Sequence, residues 1–327
     1  MPHRPRLYAF VICLACCLLL IAPVLHAQDD AAPSPQAATP APLPTRGARP
    51  APVTTLSGGI VRLELLFNVL RQGQTQLIRV AGLDGTFPVL AEITGRFLDR
   101  DLNFFAAADG YYALIAAGME QPTARTNALT VSVLTPGDRS ETLEANVEIS
   151  LGEFIRQNVT LPPTTAYLID PPTERTEIAQ LLSVFAVITP ERAWGSSGFA
   201  LPVATALTSP FGAFRTFNET FNTRHTGWDF RVGLGAPVLA SEAGRVVYAG
   251  LMPIRGAHVI IDHGLGVYTG YSHLSTWHVT RGQRVTRGQV VGTVGTSGRV
   301  SGAHFHWEVA VNGAFVDGAQ FVRLWMP

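Results

Sequence analysis

The 327-residue chain has no lysine at all, so its 24 basic residues are arginines, balanced by 24 acidic residues to a formal net charge of zero. Without an ε-amino group the chain can neither form a Schiff base nor carry a lipoyl or biotinyl arm. The zero balance gives no electrostatic case for nucleic-acid capture. Cysteine is nearly absent too: Cys13, Cys16 and Cys17 all fall in the first 27 residues. Beyond them the chain can build neither a disulfide nor a thiolate metal site, and any metal there must be held by nitrogen and oxygen.

The first residues hold the longest apolar run, from Leu7 to Leu25 behind Arg4 and Arg6, followed by His26-Ala27-Gln28. This predicts a signal peptide over 1–27, and hence export, with cleavage after Ala27. Leu25 stands where a small residue is usual before such a cut, so an uncleaved membrane anchor is the alternative. Residues 28–56 form an Ala/Pro-rich linker, semi-rigid because its seven prolines from Pro33 to Pro52 hold it extended.

From 57 to 162 short runs read as strands: 60–67, 76–80, 89–93, 111–115, 129–134 and 143–149. Turns such as Leu83-Asp84-Gly85 and Pro136-Gly137-Asp138 separate them. That spacing predicts an immunoglobulin-like β-sandwich with no catalytic cluster, serving as a spacer, a lid or a wall-binding module. In the connecting segment 163–195, Ile178, Leu181, Leu182 and Phe185 fall at helical spacing behind Pro171 and Pro172, predicting a short amphipathic helix packed between two domains. Residues 196–327 read as antiparallel β-structure, and the chain is mainly β overall. Within that segment the paired Arg281-Gly282-Gln283 and Arg287-Gly288-Gln289 resemble the turns of hybrid barrels.

The chemistry concentrates in this last segment. His225 and Asp229 are four residues apart, His273 stands in Tyr271-Ser272-His273-Leu274, and His304-Phe305-His306 lies near the end. Four imidazoles and a carboxylate can supply three zinc ligands and two spare bases. On a strand, residues i and i+2 share a face, so His304 and His306 would stand together about 6–7 Å apart while Phe305, Trp307 and Val309 face the core. His225 and Asp229 share a face if the stretch through Gly227 is extended.

In order and spacing these motifs resemble the M23 metallopeptidases, the lysostaphin or LytM type, which cleave peptides in bacterial peptidoglycan. The likeness runs on through Thr208-Ser209-Pro210-Phe211-Gly212, Ala236-Pro237-Val238, Ile261-Asp262-His263-Gly264 and Val291-Gly292-Thr293-Val294-Gly295. It implies an M23 peptidase domain over 196–327. His225, Asp229 and His306 would bind Zn2+, with His273 and His304 catalytic. His304 would be the base and His273 the oxyanion stabiliser. The implied activity is that of an exported zinc metalloendopeptidase acting on peptidoglycan peptides in the periplasm, cell envelope or extracellular space. The alternative is a non-enzymatic wall-binding or amidase-activating LytM-type module; such relatives usually lack a zinc ligand, and here none is missing. Ala303 replaces the usual proline before the H-x-H, and Trp228 a smaller residue.

Of the remaining histidines, His263 reads as a turn or packing residue, and His258 and His278 as solvent-facing. Glu308 shares the face of His304 and His306. It is either a partner that orients an imidazole or a strand carboxylate paired with an arginine.

Overall fold

The computed structural model describes residues 49–327. The expected signal segment and most of the expected linker lie outside the described residues. No helix among the described residues is long and apolar enough to cross a membrane.

Ten strands come first: β1 (Thr54–Ser57), β2 (Val61–Leu65), β3 (Val69–Arg71), β4 (Thr75–Gly82), β5 (Glu92–Phe97), β6 (Arg100–Asp101), β7 (Phe105–Ala107), β8 (Gly110–Ala116), β9 (Ala124–Leu134) and β10 (Ser140–Ser150). They form two five-stranded sheets, ordered β1-β2-β4-β8-β7 and β3-β10-β9-β5-β6. Leu63, Ile78 and Ile115 from one sheet meet Val131, Val147 and Leu70 from the other in a shared core. Two expected boundaries shift. Residues 54–56, expected in the linker, pair with β2. The strand expected over 89–93 begins only at Glu92; Pro88 precedes a Val89 that is 75% exposed.

The connecting segment contains β11 (Arg156–Val159), α1 (Pro163–Ala166) and α2 (Pro171–Phe185). Helix α2 starts at Pro171, because the Asp170 side chain accepts from Thr173 N–H and Pro171 and Pro172 occupy the first turn, where no donor is needed. Its buried stripe is Glu177, Leu181 and Phe185, at i, i+4 and i+8, while Leu182 is 38% exposed. The expected apolar face thus has a carboxylate in its buried row and one leucine outside it.

The remaining elements are β12 (Leu207–Ser209), β13 (Phe214–Phe217), β14 (Phe221–Arg224), β15 (Trp228–Phe230), β16 (Pro237–Leu239), β17 (Gly244–Met252), β18 (Gly256–Asp262), β19 (Val267–Trp277), β20 (Arg284–Val285), β21 (Val290–Val294), β22 (Phe305–Val311), β23 (Ala314–Val316) and α3 (Gly318–Phe321). A ten-stranded sheet follows the order β12-β15-β22-β19-β18-β17-β20, with β21 and β23 joined to β19 and β22, and β16 to β21. Each of its pairings is antiparallel. A smaller sheet sets β11 parallel to β13, which pairs with β14. The repeated Thr-Arg-Gly-Gln turns close alike: the Gln283 and Gln289 side chains accept from Thr280 and Thr286 N–H, and Gly282 and Gly288 take φ of +91° and +78°. Only glycine adopts that backbone at little cost.

The central strands are buried on both faces, and alternation sorts their residues. Phe305, Trp307 and Val309 of β22 join Val259, Ile261 and Tyr271 in one core, whereas Ala310, Ile260 and Tyr268 meet Leu181 and Phe185 of α2 in another. The first core continues into the sandwich through Leu77, Tyr112 and Leu114. The sandwich and the large sheet are further joined by Asn312 Nδ2 donating to Leu114 O at 2.9 Å, by Gln320 Nε2 donating to Thr75 O at 2.9 Å, and by the Phe105–Trp194 edge contact. Both faces of β4 and β8 are therefore covered, which is why β8 reads as an almost unbroken apolar run.

His263 packs as expected: its Nδ1–H donates to Ala243 O at 2.7 Å and its ring stands edge-on to Phe199. Burial lowers its pKa to about 4. The unfolded chain then takes up a proton that the folded state refuses, so this part of the stability is complete above about pH 6.5 and is lost as the pH falls toward 4. The loss amounts to about 3 kcal/mol. Urea unfolding in the presence of a chelator should show a pH profile for His263→Gln that is flatter than wild type by that amount; parallel profiles would refute it.

Candidate metal centre

Strand register builds the site. Asp229 on β15 stands opposite His306 on β22, and His306 stands opposite Ser272 on β19. His225 enters from the end of β14, held by its backbone N–H to Ala213 O at 3.0 Å. The close approach of β15 to β22 needs Gly227, since a Cβ there would lie 2.1 Å from Trp307 O.

Three buried atoms converge. His225 Nε2 is 3.1 Å from Asp229 Oδ1, His306 Nδ1 is 2.9 Å from that same oxygen, and the two nitrogens are 3.0 Å apart. The far side of each ring sets its tautomer. His225 Nδ1 is 2.7 Å from Pro210 O, an acceptor only, so Nδ1 carries the hydrogen and Nε2 a lone pair. His306 Nε2 is 3.2 Å from Glu308 Oε1, which likewise leaves the lone pair on Nδ1. Three lone pairs therefore face one another, an arrangement that calls for a cation.

The electrostatics agree. Burial lowers the His225 pKa to about 4 and keeps it neutral, against the pull of Asp229. Burial would raise the Asp229 carboxyl, yet His225 and Arg215 hold it well below its usual range. His306 is raised: burial opposes its charge, but hydrogen bonds to Asp229 and Glu308 outweigh that. A proton shared there is what a metal would displace. Asp229 Oδ2 is taken by the Arg215 guanidinium, leaving Oδ1 for the shared centre. A tetrahedral ion with bonds of about 2.0–2.1 Å needs donors roughly 3.3 Å apart, a small expansion of what is present. The all-buried His225, Asp229 and His306 group thus fits a zinc ion in donor chemistry and spacing.

Two more imidazoles stand beside this group. The His273 ring centroid is 5.8 Å from that of His306 and 4.7 Å from that of His304. His273 Nδ1–H donates to Ser297 O at 2.8 Å, and His304 Nδ1–H to Gly302 O at 2.9 Å, so each keeps Nε2 free. His273 takes φ of +58° where the pairing of β19 with β18 is irregular. That conformation is costly for a residue with a Cβ. His304 immediately precedes β22, and its Nε2 lies 3.7 Å from the same Asp229 oxygen that His306 Nδ1 meets, so the two imidazoles stand on one side as expected. A pocket lined by His225, His273, His306, Arg215 and Thr226 opens beside the group.

Glu308 meets both of its expected descriptions at once, touching His306 and taking a two-pronged ion pair from Arg255. His278 is exposed, but His258 corrects the expectation of a solvent-facing residue. It is wholly buried, with Nδ1 3.0 Å from Ser272 Oγ, and burial lowers its pKa to about 3. On β18 it alternates onto the same face as Ile260, which faces the core shared with α2. Arg215, Arg255 and Glu177 were not legible as site residues, because isolated charges outside the motifs carry no spacing signal.

The family description Peptidase family M23 matches residues 223–318. The chain carries a peptidase M23 domain. Over 93 residues it is 45% identical to the peptidoglycan DD-endopeptidase ShyA of Vibrio cholerae, covering 28% of this chain and 22% of that protein. Over 116 residues it is 40% identical to the DD-carboxypeptidase/endopeptidase Mpg of Neisseria meningitidis, covering 35% and 26%. The chain thus spans about a quarter of the length of these curated relatives. The crystal structure of a candidate M23 peptidase from Pseudomonas aeruginosa shares the fold over 78% of this chain and 94% of that one, with a TM-score of 0.57 and 24% identity.

The contact at Gly227 yields a test of how the M23 domain is held. Gly227→Ala should lose about 2–3 kcal/mol in urea unfolding by forcing β15 from β22. Gly302→Ala, with open space around it, should be neutral. Equal midpoints would contradict the close-approach argument.

Proposed function

We propose that this protein is an exported zinc metalloendopeptidase that hydrolyses peptide bonds in peptidoglycan stem peptides or cross-bridges. The observation that carries this reading is the convergence of three lone-pair donors, His225, Asp229 and His306, beside two imidazoles with free Nε2 atoms. The substrate class is supported by relatives named as peptidoglycan DD-endopeptidases. Zinc held by the three donors would supply Lewis acidity at the scissile carbonyl and a more acidic water.

The chain's own groups would do the rest. Burial, then the neighbouring His304 and His306, holds His273 well below the usual histidine range, so its Nε2 is a neutral acceptor. His304 Nε2 lies 3.7 Å from Asp229 Oδ1, beside the converging donors. One of His273 and His304 would take the proton of the attacking water and return it to the leaving amine, while the other faces the developing oxyanion. A second reading is a wall-binding or amidase-activating module without turnover; one relative, 36% identical over 116 residues, is named as the cell division protein DipM of Caulobacter vibrioides and not as a peptidase. The complete donor set favours the enzyme.

Purified protein incubated with intact peptidoglycan should contain zinc and release muropeptides with new amino termini. His306→Ala and Asp229→Ala should lose zinc and release together. His273→Ala and His304→Ala should keep zinc while release falls at least a hundredfold. Zinc retained by Asp229→Ala would refute the ligand set. Zinc-loaded wild type without release would favour the regulatory module.

A further inference from the structure

The segment between the sandwich and the large sheet reaches two of the three converging donors by separate routes. Glu177 on α2 is buried in the middle of the helix, where an apolar residue would serve packing better. Its Oε1 accepts from Arg255 NH1 at 2.8 Å, and its two oxygens also accept from the backbone N–H groups of Ile254 and Arg255 at 2.7 and 3.1 Å. Arg255 Nε donates to Glu308 Oε2 at 2.8 Å, and Glu308 Oε1 faces His306 Nε2. The row thus runs from helix to ring: Glu177, Arg255, Glu308, His306. On the other side Gln157 of β11 accepts through Oε1 from Ser209 Oγ at 2.7 Å and from Arg215 Nε at 3.3 Å, and Arg215 pairs with Asp229 Oδ2.

Buried ion pairs bring little net stability, because desolvation offsets their attraction. A row of them ending on the outer nitrogen of one donor, with a second chain of contacts ending on the outer oxygen of another, has a different use. It fixes which atoms of His306 and Asp229 face inward, and it fixes their basicity. Gln157, Glu177 and Arg215 lie outside residues 223–318, so the matched domain does not contain them.

We propose that the connecting segment is a working part of the metal centre, with Glu177 and Gln157 as positioning residues that hold His306 and Asp229 through Arg255–Glu308 and Arg215. The inference rests on the zinc reading above. The peptidase unit then begins near Arg156 and not at 196.

The test is zinc affinity, read by competition with a chromophoric chelator, together with the thermal midpoint of the zinc-free protein, in the full chain. Glu177→Gln should weaken zinc about tenfold, and Gln157→Ala, which is only half-buried, about threefold. The zinc-free Gln157→Ala protein should melt as wild type does. Arg245→Ala, exposed and remote from both routes, should change neither quantity. Wild-type affinity in Gln157→Ala would overturn the proposal even if Glu177→Gln does not fold, because a merely structural strap would leave the metal untouched. A wild-type protein that binds no zinc would sink the metal reading itself, and this inference with it.

Discussion

Three lone pairs held about 3 Å apart in a buried site are the constraint around which the large sheet is arranged. Nothing between His225 Nε2, His306 Nδ1 and Asp229 Oδ1 relieves their repulsion except a proton or a metal ion. The fold must therefore hold them together from behind. A carbonyl at Pro210 and a carboxylate at Glu308 fix the imidazole tautomers, and Arg215 turns the aspartate. Each of these outer partners needs its own support in turn. This explains a density of buried charge that would otherwise be a liability in a β-protein of modest charge content.

That requirement also accounts for the burial of the sheet on both faces. A single-faced sheet would leave the row from His306 to Arg255 in water, where the ion pairs would be worth little. Here the α2 helix covers one face with Leu181 and Phe185, and the opposite core runs into the sandwich through Leu77, Tyr112 and Leu114. The same packing that excludes water from the charges thus joins the two β-structures into one continuous interior.

Much of the site was legible because it obeys strand arithmetic. Alternation correctly put Phe305, Trp307 and Val309 in the core and His306 and Glu308 opposite. The arithmetic failed where a polar group occupies an apolar row. His258 is buried on a face whose cover comes from a distant helix, and Glu177 lies in the buried row of α2 while Leu182 falls outside it. No local pattern reports these, because each is decided by a partner many positions away in the chain.

By itself, the sequence determined that any metal must be bound by nitrogen and oxygen, since the cysteines cluster in the first 27 residues. It also determined the order of the motifs and the mainly β character, both readable from composition and periodicity. The tertiary structure alone decided which atom of each imidazole faces inward, which oxygen of Asp229 is left free, and that His273 is too buried to hold a proton readily. These depend on acceptors, guanidiniums and desolvation brought from elsewhere in the chain, and long-range register, not local pattern, sets them.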